Sequence, residues 1–130
     1  MRTYSRLLFV LIFLGGAALM LPRIVSSREE ARTVSLVVRN MTYYLEGDTT
    51  PNPSLRFAAG EQVRLTLRNE DPGMAHDFNI RPWNVGTKIL DGKGQDTVSF
   101  RVPSRFEGPT TYTCTPHSAM MSGDIIIEQR

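Results

Sequence analysis

At 130 residues the chain has room for one domain of ordinary size. Its formal charge of +2 misrepresents that domain: Arg2, Arg6 and Arg23 precede residue 28 and all 13 acidic residues follow it, leaving 12 basic against 13 acidic side chains, net −1, from Arg28 onward. That balance argues against a phosphate-binding face and against nucleic acid as a partner, and a single cysteine, Cys114, excludes an internal disulfide.

The N-terminus reads as a targeting or anchoring segment. "MRTYSR" is basic, and Leu7 to Leu21 is an uncharged, mostly apolar run closed by Pro22 and Arg23. A basic stretch before an apolar one is the pattern of an export signal. The run is short for a membrane span, which wants about 20 apolar residues. Ile24 and Val25 extend it past Arg23, whose side chain can snorkel. No A-x-A cleavage site stands in place, and Val25-Ser26-Ser27 is the best small-residue stop. Residues 1–27 are therefore expected to be either a cleaved signal or an uncleaved membrane anchor, with contact to the membrane only through residues 7–25. Both versions place the domain outside the cytoplasm, in the periplasm or facing the exterior. No cysteine lies near the run, so a lipid-anchored N-terminus is not expected.

Residues 28–32 form a charged linker, and residues 33–130 read as strand after strand. "TVSLVVR" (33–39), "QVRLTLRN" (62–69), "HDFNI" (76–80), "DTVSFRV" (96–102), "TTYTC" (110–114) and "GDIIIEQ" (123–129) alternate with period two. That period marks strands with one buried face. The turn-forming stretches "GDTTPNP", "AAGE", "EDPG", "DGKG" and "PSRFEGP" separate them. The pattern predicts an all-β domain, an antiparallel Greek-key sandwich or barrel. Trp83 and the Tyr43–Tyr44 pair are expected in core and rim packing. Asn40-Met41-Thr42 matches a glycosylation sequon, a pattern common by chance.

The informative stretch is "CTPHSAMMSG", residues 114–123. It holds the only cysteine, one of two histidines and two of six methionines. Taken singly, a buried cysteine is a small hydrophobe, a histidine at a strand start is a hydrogen-bonded side chain, and a methionine pair is core filler. Taken together they form a pattern. Alternation turns His76 inward with Phe78 and Ile80, and Cys114 inward with Tyr112. Cys114 ends its strand, and the loop that follows carries His117, Met120 and Met121. A strand end, a strand start and a tight loop can thus gather two imidazoles, one thiolate and one thioether. The chain's entire stock of histidine and cysteine fits one site. Thiolate and thioether are soft, imidazole is borderline, and a His₂Cys plane with a distant methionine is a copper electron-transfer geometry. Zinc more often recruits a further cysteine, histidine or carboxylate.

These residues carry a family resemblance. "YTCTPH" resembles the Cys-x-x-His step of plastocyanin, pseudoazurin and amicyanin. "HSAMMSGDI" resembles azurin, in which the axial methionine follows the histidine by four positions. "NEDPGMAHDFNI" resembles the loop that delivers the first histidine. Residues 33–130 thus resemble the cupredoxins, the small type 1 blue-copper proteins. The resemblance implies one copper ion cycling between Cu(I) and Cu(II), with His76, Cys114 and His117 as strong ligands. Met121, two residues before Gly123, is the weak axial ligand it implies, while the amicyanin spacing would choose Met120. The carbonyl of Ala75 could approach copper from the opposite side. The family's asparagine after the first histidine is replaced by Asp77, which can still accept from the Thr115 hydroxyl.

The function this implies is single-electron transfer between transient protein partners docking at the His117 face, framed by Pro72, Gly73, Met74, Pro116 and Met120. No enzymatic activity is expected: a catalytic second copper needs further histidines, and a binuclear site needs a second cysteine. The competing reading is an extracytoplasmic copper-delivery or storage protein.

Overall fold

The computed structural model describes residues 30–105 and 108–129. The expected signal or anchor, residues 1–27, lies outside the described residues, as does the start of the linker. The described chain forms eleven strands and one 3-10 turn, Arg81–Trp83, with no α-helix among them. In chain order the strands are β1 (Arg32–Arg39), β2 (Thr42–Leu45), β3 (Leu55–Ala58), β4 (Gln62–Asn69), β5 (Ala75–His76), β6 (Asn79–Ile80), β7 (Val85–Gly86), β8 (Leu90–Asp91), β9 (Gly94–Arg101), β10 (Thr110–Thr113) and β11 (Ser122–Glu128).

Two sheets result, in the orders β2-β1-β4-β9 and β3-β11-β10-β6-β7, with β5 and β8 pairing separately. The alternation read from sequence is what fills the space between them. Val34, Leu36 and Val38 of β1 and Val63, Leu65 and Leu67 of β4 are buried, as are Phe57, Ile80, Tyr112 and Ile125 of the other sheet, in one continuous cluster. Each such apolar side chain contributes about 1.5–3 kcal/mol of burial. Phe57 meets Phe100 of β9 edge-to-face across the two sheets, with centroids 5.9 Å apart. Trp83 packs half-buried against this core, and Tyr44 sits at the rim beneath the Arg39 guanidinium.

The sandwich is all-β as expected, but two of its pairings are parallel, β1 with β4 and β3 with β11. After the β1–β2 hairpin the chain leaves the first sheet, β3 joins the second, and the chain returns to the first sheet through Gly60, whose φ of 76° suits glycine. That return brings β4 alongside β1 in the same direction. The predicted strand 76–80 is also divided. His76 pairs in β5 with β8, and Asn79 and Ile80 pair in β6 with β7 and β10. His76, Phe78 and Ile80 are all buried, and so is Asp77 between them.

Beneath one end of the sandwich lies an aromatic floor. Tyr112 stacks on Phe78 at 5.4 Å and meets Tyr43 edge-on at 5.2 Å. Both buried hydroxyls are satisfied, Tyr112 donating to the Pro53 carbonyl and Tyr43 to the Asp77 carbonyl. Gly123 passes over the Tyr112 ring, where any Cβ would collide with it.

Candidate metal centre

Three elements converge above that floor. β5 carries His76, the end of β10 leads into Cys114, and the loop to β11 carries His117. The loop is compact because its backbone bonds to itself. The Cys114 N–H donates to the Met121 carbonyl at 3.0 Å, tying the two ends together. His117 N–H donates back to the Cys114 carbonyl, and Met120 and Met121 N–H both donate to the His117 carbonyl. A Cys-x-x-His step on such a turn places the imidazole next to the sulfur.

The resulting geometry is specific. Cys114 Sγ lies 3.6 Å from His76 Nδ1 and 3.6 Å from His117 Nδ1. The three ligand atoms all lie within 4.8 Å of one another, and among the described histidine, cysteine and acidic side chains this is the one such group. The rings stand 4.9 Å apart at 49°. A metal bound at about 2.3 Å to sulfur and about 2.0 Å to nitrogen requires an S···N separation of about 3.5 Å in a tetrahedron and about 3.7 Å in a trigonal plane. The observed spacing falls between, so each imidazole Nδ1 stands at the distance from the sulfur that a shared first-row ion requires. Their chemistry fits copper, for which a thiolate with two imidazoles is a suitable soft-to-borderline set.

His76 and Cys114 are fully buried, and His117 is half-buried, so its ring is the part of the site nearest solvent. Burial pushes the Cys114 thiol pKa up, opposed by hydrogen bonding from the Asp77 and His117 backbones. Burial likewise holds His76 below the ordinary histidine range, reinforced by His117 and opposed by Asp71. Both imidazoles turn Nδ1 toward the sulfur.

The remaining sequence-predicted residues fall as follows. Met121 is fully buried in the same cluster as Cys114, whereas Met120 is 60% exposed. Ala75 is half-buried in β5. Thr115 donates twice to Asp77, from its hydroxyl to Oδ2 at 2.7 Å and from its N–H to Oδ1 at 2.5 Å. Asp77 thus joins the two ligand-bearing segments. Pro72, Gly73 and Pro116 are exposed, and Met74 is half-buried.

Sequence reasoning missed Asp71 and Asn69. Asp71 Oδ2 lies 3.2 Å from His76 Nε2. Asn69 accepts the Asp71 N–H and donates to the Met74 and Leu90 carbonyls, which fixes the loop between β4 and β5. In the sequence Asn69 reads as the end of the strand 62–69 and Asp71 as a turn former in "EDPG".

No protein-family model matches the sequence, and no curated protein matches it. Solved structures do match in fold. Rusticyanin, described as a copper protein, aligns at a TM-score of 0.59 with 20% identity, over 76% of this chain and 80% of its own. Auracyanin B aligns at 0.58 with 20% identity, over 75% of this chain and 89% of its own. Auracyanin A, a "blue" copper protein from the green thermophilic photosynthetic bacterium Chloroflexus aurantiacus, aligns at 0.58 with 14% identity, over 76% of this chain and 100% of its own. The described domain has the cupredoxin fold.

Proposed function

We propose that the protein is a mononuclear type 1 copper protein that carries single electrons between redox partners outside the cytoplasm. The observation that carries this reading is the convergence of two imidazole Nδ1 atoms on one buried sulfur at 3.6 Å, within a fold shared with rusticyanin and the auracyanins. Copper bound there supplies a one-electron Cu(I)/Cu(II) couple. In this reading His76 and His117 bind through Nδ1 and Cys114 through its thiolate. Full burial of Met121 supports it as the weak axial ligand, and the exposure of Met120 suits a surface role instead. The Ala75 carbonyl, adjoining His76, is the candidate for the opposite axial side.

The protein's part in electron transfer is to move little. His76 is held by β5, Cys114 by the end of β10, and the loop between Cys114 and Met121 is closed by its own hydrogen bonds. Asp77 couples the two segments through Thr115. A ligand set so fixed limits rearrangement between oxidation states. His117 offers the route for the electron, and exposed Pro72, Gly73, Pro116 and Met120 form the small apolar frame on which transient partners would dock. The burial of His76 and Cys114 favours a carrier over a delivery protein, which must release its metal. Placement outside the cytoplasm rests on the basic-then-apolar N-terminus. No helix among the described residues is long and apolar enough to cross a membrane.

Redox cycling tests the proposal. The protein should retain one equivalent of copper through repeated reduction and reoxidation, losing visible absorbance on reduction and regaining it on oxidation. Release of copper on reduction would favour delivery instead.

A further inference from the structure

Asp71 is no part of the ligand set, yet its carboxylate is bound from three sides. Oδ1 accepts the Asn40 N–H at 2.6 Å, and Oδ2 accepts the Met41 N–H at 2.8 Å. Oδ2 also lies 3.2 Å from His76 Nε2, and His76 is fully buried. The two backbone donors come from the β1–β2 turn, where Asn40 and Met41 both hold positive φ, 50° and 55°. Both N–H groups of this tight turn reach the one carboxylate, and backbone N–H groups gathered by a turn suit an anion. From the other side, the Asp71 N–H donates to Asn69 Oδ1 at 2.9 Å.

A carboxylate offers only acceptors, so the contact with His76 is a hydrogen bond when Nε2 carries the proton. Nδ1, on the Cys114 side, is then the bare nitrogen that a metal requires. A carboxylate behind a ligating imidazole also makes that imidazole a stronger donor. Its fixed negative charge favours the more highly charged oxidation state of the ion in front.

We infer that Asp71 is the positioning residue of this site: it fixes His76 as the Nε2–H tautomer, aims Nδ1 at the metal and biases the couple toward Cu(II). The redox part rests on the copper reading above; the tautomer part does not. The β1–β2 turn, remote in sequence from every proposed ligand, thereby becomes part of the site's support.

Two Asp71 variants and one control variant test this. In metal-free wild-type protein near neutral pH, long-range ¹H–¹⁵N correlation should find His76 protonated at Nε2, and Asp71→Ala should give a mixture of tautomers. In copper-loaded protein, Asp71→Asn keeps the side-chain shape and removes the charge. Its midpoint potential should rise by about 59 mV or more, a tenfold fall in the oxidised-to-reduced ratio against a fixed partner. Its Cu(II) affinity should fall about 10- to 100-fold. Glu128→Gln, an exposed charge removal at the far end of β11 from Met121, should leave the potential unchanged. If Asp71 merely staples the turn, both Asp71 variants lose thermal stability while tautomer and potential stay put, and the inference is overturned. A wild-type His76 protonated at Nδ1 overturns it as well. Should the wild type take no copper, the function reading fails and the tautomer decides this one.

Discussion

Two adjacent methionines occupy opposite environments, and the proposed function gives them different work. Met121 is fully buried beside Cys114 and Met120 stands 60% exposed. A thioether binds copper weakly, so its removal should move the potential far more than the affinity. Met121→Leu leaves an apolar shell, which penalises Cu(II) more than Cu(I) and raises the potential. Met121→Gln offers an oxygen donor and lowers it, each ~59 mV being a tenfold change in equilibrium with a partner. Both variants should stay coloured, and Met120→Leu should leave the potential alone; voltammetry distinguishes the three. An effect at Met120 and none at Met121 would reverse the assignment. The sequence made these residues legible because rare residue types cluster in "CTPHSAMM", where chance would scatter them. It did not make Asp71 legible. A carboxylate five positions before a histidine has no periodic relation to it, and only the fold brings the two together.

At the scale of elements, the turn from loop to β11 depends on a missing side chain. Gly123 pairs with Tyr112 across β10 and β11, and a Cβ there would strike the Tyr112 ring. Tyr112 cannot yield easily, being fully buried, stacked on Phe78 and bonded to the Pro53 carbonyl. Gly123→Ala should therefore destabilise the fold by about 1–3 kcal/mol, the range for overpacking a filled core. Denaturant unfolding of the metal-free protein measures it, and an unchanged midpoint would contradict this packing account. The long strands β1, β4, β9 and β11 were legible to within a few residues, since alternation over a sufficient run identifies a half-buried strand, and four-residue β10 was legible because its buried row of Thr110 and Tyr112 runs on into Cys114. β2 and β3 were not. At four residues each, "TYYL" and "LRFA" are too short to establish a period. The division of 76–80 into β5 and β6 was also hidden, because Asp77 reads as the polar member of an alternating run. In the structure that carboxylate is buried and holds Thr115.

For the whole molecule, the pairing of strands is what alternation cannot convey. It gives the same inward rows for parallel and antiparallel neighbours, so the β1–β4 and β3–β11 pairings emerge only from the path of the chain. The assembled fold also links the site to global stability. Burial lowers the pKa of His76, with the His117 charge adding to the effect and Asp71 opposing it. The unfolded chain, with an ordinary histidine pKa of about 6.5, binds a proton that the folded protein resists until lower pH. Between those two pKa values the unfolded state holds more protons, so stability falls as pH falls. Metal-free protein should lose stability on acidification from about pH 7 through 6.5, and His76→Gln should flatten that slope. Chemical denaturation at a series of pH values reads it directly. A stability that is flat through that window, or that rises on acidification, would contradict the buried neutral His76.

The central claim, that Cys114 gives its sulfur to a copper ion shared with His76 and His117, is met most directly by one measurement. It is the visible absorption spectrum of the protein with one equivalent of Cu(II), beside that of Cys114→Ser. The account predicts intense wild-type colour from thiolate-to-copper charge transfer. It also predicts loss of that colour in a variant whose far-ultraviolet circular dichroism still reports the folded β-sandwich. A wild-type protein that holds Cu(II) yet stays colourless, or a Cys114→Ser variant that keeps the colour, would contradict it.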